Sequence, residues 1–195
     1  MTVDTTTIKA PTSVFEGIAE YFRGYASNET FALVGLSILM WSELETTANA
    51  ALALLIVKPT SKEECLEKWD LIERAIVACS GKDIRTTLGA IKSIIWLEFP
   101  DHYDAFDRLN DKIVKSYVNK RNIIAHRGIK SETKRGRVMF HGLKTIGKID
   151  HQRHPFTREQ LWQMPLEFVQ HKGLLVQFVR QLGLYVPVDS DLGVK

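Results

Sequence analysis

The chain has 195 residues, 45% of them apolar and 25% charged, which is the balance of an ordinary globular protein and argues against long disorder. That length suits one domain with a real core and is too short for two of usual size. The net charge of +3 hides a division: residues 115–153 hold eleven Lys or Arg against Glu132 and Asp150, a local balance of +9, and the rest of the chain carries −6.

Residues 1–11 are Thr-rich, end at Pro11 and read as a disordered tail. They show no basic segment followed by an apolar one, so no export or transit signal is expected and the location expected is cytoplasmic. A first helix is expected over 13–25, where Phe15, Ile18, Ala19 and Phe22 recur at i, i+3, i+4, i+7. Asn28 reads as the cap of a second helix from Glu29 to Val57, apolar nearly all round as in a helix enclosed by others, and Pro59 stops it. This is the most apolar stretch, but Ser42, Glu43, Glu45, Thr46, Thr47 and Asn49 interrupt it, so a buried helix is expected rather than a membrane span.

Ser61 to Glu64 reads as a capping box that opens a third helix, running to Cys79 with Leu66, Trp69, Ile72 (or Leu71) and Ile76 inward. Ser80-Gly81 ends it. Cys65 and Cys79 are expected as reduced core residues. A fourth helix, 83–98, presents Ile84, Leu88, Ile91 and Ile95 before Pro100. A long amphipathic helix from Asp101 to His126 follows, with Phe106, Leu109, Ile113, Tyr117 and Ile124 inward and Gly128 at its end.

Between Gly128 and Pro155 the helical period is lost, and two β-like runs, 137–141 and 145–149, predict a basic loop or small hairpin. Thr157 and Gln160 form a second capping box. The last helix carries Leu166, Val169, Leu174, Phe178 and Leu182, with a kink or restart expected at Pro165. Trp41 and Trp69 fall on apolar stripes and read as core; Trp96 and Trp162 take no assignment. The fold class is therefore all-α: a single-domain bundle of about five to six helices over 12–183, with a short β-hairpin between the last two long helices and a frayed tail over 184–195.

The densest chemical signal is Lys120-Arg121-Asn122-Ile123-Ile124-Ala125-His126-Arg127-Gly128. On one helix Asn122 and His126, at i and i+4, share a face, where an amide can fix the tautomer of an imidazole. Arg121 lies about 140° round the axis from His126 and roughly 7.5 Å along it, so the two would flank a groove. This segment resembles the Arg-(polar)-x3-5-His signature of the HEPN (higher eukaryotes and prokaryotes nucleotide-binding) superfamily, in the form RNxxAH followed by Gly at the end of a long helix. The Trp41-Ser42-Glu43-Leu44-Glu45 stretch is similar to that family's variable acidic position.

The resemblance implies metal-independent RNA cleavage by attack of a 2′-hydroxyl on the adjacent phosphate. It gives His126 the role of proton acceptor or donor, Arg121 that of phosphate clamp, and Asn122 that of orienting group, with Glu45 or Glu43 as a supporting acid. Lys120, Arg127, Lys130, Lys134, Arg135 and Arg137 would hold the RNA backbone. The implied partners are RNA, a second copy in a homodimer, and an antitoxin or regulatory protein; no membrane, metal or cofactor is expected. His151 and His154 stand at i, i+3 beside Pro155 without a nearby carboxylate or Cys, which disfavours a zinc site. The alternative is a non-catalytic helical regulatory or interaction module, HEPN-like or similar to the mannitol-operon repressor. A DNA-binding regulator ranks last because no helix-turn-helix pattern is present.

Overall fold

The computed structural model describes residues 26–188 apart from 117, 127 and 145–147; the side chains of 116, 119, 126, 130, 141–144 and 148–154 also lie outside the described part. The helix expected over 13–25 falls outside the described residues. Among those described, the elements are α1 (Asn28–Val57), α2 (Lys62–Glu67), α3 (Trp69–Cys79), α4 (Ile84–Glu98), a 3-10 turn (Pro100–His102), α5 (Tyr103–Ser116), α6 (Val118–His126), β1 (Gly128–Glu132), β2 (Arg137–Lys144), β3 (Lys148–Thr157) and α7 (Arg158–Gln181). The all-helical bundle with a small β element is thus observed.

Helix α1 is the axis of the bundle. Ser27 rather than Asn28 caps it: the Ser27 hydroxyl accepts from the Thr30 N–H at 3.2 Å. Asn28 is already helical, and both residues have cap chemistry, so the sequence alone did not separate them. At the other end Lys58 adopts a left-handed conformation (φ 54°) and donates its N–H to Leu54 O, one residue before Pro59. Leu33, Ser37, Trp41, Leu44, Ala48, Leu52 and Leu55 follow each other down its buried side. Helix α7 runs parallel beside it, as three pairings show: Glu29 with Arg158, Trp41 edge-on to Phe168 at 5.2 Å, and Glu43 with Lys172.

Several boundaries depart from expectation. The third helix is divided at Lys68 (φ −96°, ψ 12°), which offsets the two halves: Cys65 is buried, Leu66 and Leu71 are exposed, and Ile72 and Cys79 are the buried residues of α3. The Ser61 cap accepts from the Glu64 N–H as expected, but the Glu64 carboxylate takes the Thr60 N–H and hydroxyl, one residue further out than a capping box requires. Helix α4 meets its expectation, with Ile84, Leu88, Ile91 and Ile95 buried and Asp83 as cap. Asp101 belongs to the 3-10 turn that Pro100 opens, so the long helix starts at Tyr103; Phe106, Ile113 and Ile124 are buried, and residue 117 lies outside the described part.

The β element is larger than a hairpin. β1, β2 and β3 form an antiparallel sheet in that order, with irregularities between Ile129 and Ser131 and between Phe140 and Gly142. Val138, Phe140 and Phe156 turn inward, the two rings meeting at 5.5 Å. Glu132 fastens this sheet to the bundle: its carboxylate accepts from the Ser27 N–H (2.8 Å), the Thr30 hydroxyl (2.9 Å) and the Arg158 guanidinium. Burial pushes this carboxyl up, and the Ser27, Arg158 and Thr30 hydrogen bonds outweigh it, holding the group down at about 2.

Helix α7 runs unbroken through Pro165, so the restart expected there does not occur; the Thr157–Gln160 capping box is complete. Its buried face is Leu161, Met164, Pro165, Phe168, His171, Leu175, Phe178 and Val179, whereas the expected Leu166, Val169 and Leu174 are exposed. The segment read as frayed from 184 begins packed: Leu184 is buried and the Tyr185 N–H donates to Pro59 O.

Candidate functional site

Arg121 leaves α6 one turn after Val118, whose burial sets the helix against the bundle. Its guanidinium donates to the Asn122 side-chain Oδ1 at 3.1 Å, stands 3.8 Å from the Glu45 carboxylate, and lies over the Trp41 ring with 5.8 Å to the centroid. Three constraints of different kinds, a neighbouring amide, an opposite charge across from α1 and an aromatic face beneath, thus orient one cation. The side chains of Arg121 and Glu45 keep 27% and 31% of their exposure, so water still screens the pair.

These residues line a cavity of about 590 Å³ between α1, the Ser80–Asp83 loop and α6. Ser42, Thr46 and Asn49 continue the α1 wall, and Lys82 stands among the lining residues contributed by the loop. Asn49 accepts from the buried Thr87 hydroxyl at 3.1 Å, which ties that wall to α4. The carboxylates of Glu45 and Asp83 line it together with the cations of Arg121 and Lys82, so the cavity is polar and of mixed charge, and the Arg121 cation lies against the buried Trp41 ring. The loop exists because α3 stops at Ser80 and Gly81 takes φ 79°, which aims Lys82 and Asp83 at the next helix start.

The expected site residues divide. Arg121, Asn122 and Glu45 meet at this cavity. Glu43 does not; it bonds Lys172 at 2.8 Å on the other flank of α1, since residues two apart on a helix point in different directions. His126 is the last residue of α6, four residues beyond Asn122, and its side chain lies outside the described part. Arg127 and the Lys130 side chain lie outside it as well.

Lys120 is drawn toward the Glu167 carboxylate, 3.9 Å away on α7. Lys134, Arg135 and Arg137 are exposed at the β1–β2 turn, where Gly136 (φ 71°) closes the chain. That turn rests on the start of α7 through the Arg158 N–H to Gly136 O, level with the first turn of α1. Trp41 lies about 16 Å further along α1 than Thr30. Lys134, Arg135 and Arg137 therefore form a second locus rather than the cavity rim.

Sequence reasoning missed Lys82 and assigned Trp41 to the core alone. Trp41 is indeed buried, yet its ring also underlies Arg121, a double role that apolar periodicity does not register. Among the described residues no group of three or more His, Cys, Asp or Glu is placed to hold a metal ion, and no helix is long and apolar enough to cross a membrane. Comparison of the chain with protein-family models, with curated proteins and with solved structures finds no match, so its functional reading rests on its own residues.

Proposed function

We propose that this chain is a HEPN-like, metal-independent endoribonuclease acting as a homodimer in a toxin-antitoxin, abortive-infection or stress-defence role. The observation that carries the reading is the orientation of Arg121 by Asn122, Glu45 and Trp41 on the wall of an open polar cavity, within five residues of His126. A 2′-hydroxyl attacks the adjacent phosphorus, the P–O5′ bond breaks, and a 2′,3′-cyclic phosphate and a 5′-hydroxyl end result. His126 takes or gives the proton, since an imidazole near its unperturbed pKa of about 6.5 serves either way at neutral pH. Arg121 neutralises charge on the equatorial oxygens as it grows. Asn122 accepts a hydrogen bond from the Arg121 guanidinium and so helps to hold the clamp in place.

The pairing of Arg121 with Glu45 also favours a second reading, a non-catalytic module whose polar cavity binds a nucleotide or a partner and whose arginine is partly neutralised. One experiment separates the two. Purified wild type, Arg121→Ala and His126→Ala are incubated with mixed RNA in EDTA and the new 3′ ends are read. Cleavage by the wild type with cyclic-phosphate ends, reduced roughly 10²-fold or more in each variant, is the expected result. Equal cleavage by all three proteins, or none by the wild type, sinks the ribonuclease and leaves the module.

A further inference from the structure

Helix α5 divides its charges between two sides. Asp107 is paired with Lys92 of α4, and Asp111 with Lys115 one turn later. Arg108 and Lys112 each follow one of these acids by a single residue and so come to the side that lines a groove with α7. Among the described residues neither makes an ion pair, Asp104 one turn before Arg108 included. Both cations are exposed, and they stand at i and i+4, where like charges on one helix face repel and weaken the helix. An anion shared between them removes that repulsion.

The groove has a volume of about 300 Å³, and the amides of Gln177 and Gln181 line its α7 edge. Its apolar lining is Leu109, Leu174 and Phe178. Phe178 is only 5% exposed; its ring packs 5.2 Å from that of Phe106 and edge-on to His102 at 6.3 Å, so the core itself holds the floor in place. Leu174, which periodicity assigns to the core, keeps 37% of its surface because it borders this groove instead. Among the described residues no Asp or Glu lines the groove, in contrast to the Arg121 cavity, where Glu45 and Asp83 offset the cations.

We propose that this groove binds a small phosphate monoester carrying one apolar ring. Charge selects the head. Two cations with Cβ atoms about 5–6 Å apart on one helix face can both reach a single phosphate, which at neutral pH carries close to two negative charges and so matches their sum. A carboxylate leaves one charge over. Size selects the body. From Ala105 to Lys112, and from Leu174 to Gln181, each helix rises about 10 Å, the length of a ring with its phosphate and short for a docked peptide helix. The volume lies at the small end of ligand pockets, which run from roughly 300 to 1,000 Å³. Leu174 and Phe178 supply the apolar surface for the ring, and the Gln177 and Gln181 amides supply donors opposite the cations. The groove is separate from the Arg121 cavity, so the proposal stands whether or not the chain cleaves RNA.

Titration of the ¹⁵N-labelled full chain with phenyl phosphate, inorganic phosphate and phenol at fixed ionic strength tests this, with the amides of 105–112 and 174–181 as reporters. The expected result is saturable binding of phenyl phosphate that maps to those amides and is at least tenfold tighter than that of inorganic phosphate or phenol. Arg108→Ala and Lys112→Ala should each weaken it about tenfold, the loss of one hydrogen bond to a charged group. Both side chains are exposed, so each variant should fold as the wild type does. Leu174→Gln should weaken phenyl phosphate and leave inorganic phosphate unchanged. Phenyl phosphate binding no tighter than inorganic phosphate, shifts centred on Arg121 and Asn122 instead, or an affinity indifferent to both cation variants overturns the proposal. So does a single-stranded RNA oligomer that shifts the groove amides where phenyl phosphate does not, an outcome that assigns Arg108 and Lys112 to a polyanion.

Discussion

The two flanks of α1 make opposite use of one helix. Toward α6 and the Ser80–Asp83 loop it shows Ser42, Glu45, Thr46 and Asn49, and these line a water-accessible polar cavity around Arg121. Toward the outer edge of α7 it shows Ala32, Leu36 and Leu39, and the furrow they make with Trp162, Leu166 and Val169 is apolar from one ion pair to the next. A polar group retained at a half-buried position is costly to keep unless it is bonded or used, so the first flank is where chemistry belongs and the second is where packing belongs. Both flanks hang on the same buried stripe, Leu33 to Leu55, which lets either be changed without moving the other.

The largest expected effect falls on the polar flank. Arg121→Lys, which keeps the charge and loses the planar fork, should recover only a minor part of the cleavage lost in Arg121→Ala; full recovery would mean that a point charge suffices and that Asn122 is not holding a clamp. Next comes the shared stripe. Phe168→Ala removes a fully buried ring that meets Trp41 edge-on, and should cost about 3–5 kcal/mol in a urea titration. It should also loosen the indole under Arg121, so cleavage should fall with stability. A variant that loses the stability alone would break the link between core and site.

A smaller effect belongs to the sheet clamp. The Glu132 carboxyl is held at about 2 in the folded chain, below the unfolded value near 4.5, so its stabilising contribution is complete above about pH 4.5 and drains away as the pH falls toward 2. Melting curves taken across that window should show the wild type losing stability more steeply than Glu132→Gln, and Arg158→Ala, which removes one partner and leaves Ser27 and Thr30 in place, should lower the melting temperature at neutral pH. Parallel curves for wild type and Glu132→Gln would show the clamp to be indifferent to charge. The smallest effect is that of Glu45→Gln: a half-exposed pair at 3.8 Å should contribute under about 1 kcal/mol to stability. If Glu45 restrains Arg121 for catalysis, cleavage changes while the melting temperature holds; if the melt shifts by several degrees instead, the pair is structural and the non-catalytic reading gains.

Local rules carried well where one physical signal acted alone. The Thr157–Gln160 box, the Pro59 stop, the Gly81 turn and the Ile84, Leu88, Ile91, Ile95 stripe are all short-range consequences of cap chemistry, ring closure or helical period, and each is found in the structure. They failed where two signals competed. Helix α7 has apolar residues on two faces, and periodicity chose Leu166 and Val169 over Leu161, Met164 and Phe168 because the true core face is interrupted by Pro165 and His171. The same ambiguity hid the furrow, since the discarded face and the buried face are both apolar.

At the site, the resemblance carried by residues 120–128 and by Trp41 to Glu45 singled out Arg121, Asn122 and Glu45, and the charge count singled out the basic block from 115 to 153. Which of those charges share a cavity depended on where α6, the Ser80–Asp83 loop and the sheet come to rest against α1. Lys82 entered the cavity and the β1–β2 turn, with Lys134 and Arg135, went to the far end of α1 because Glu132 is bound to Ser27 and Thr30 there. The sequence by itself determined the helical segments, their caps and the polar residues set within them, for these follow from bonding within a few residues. Only the tertiary structure decided which flank of α1 each neighbour occupies, because that depends on competition for buried area among faces that are equally apolar in the chain.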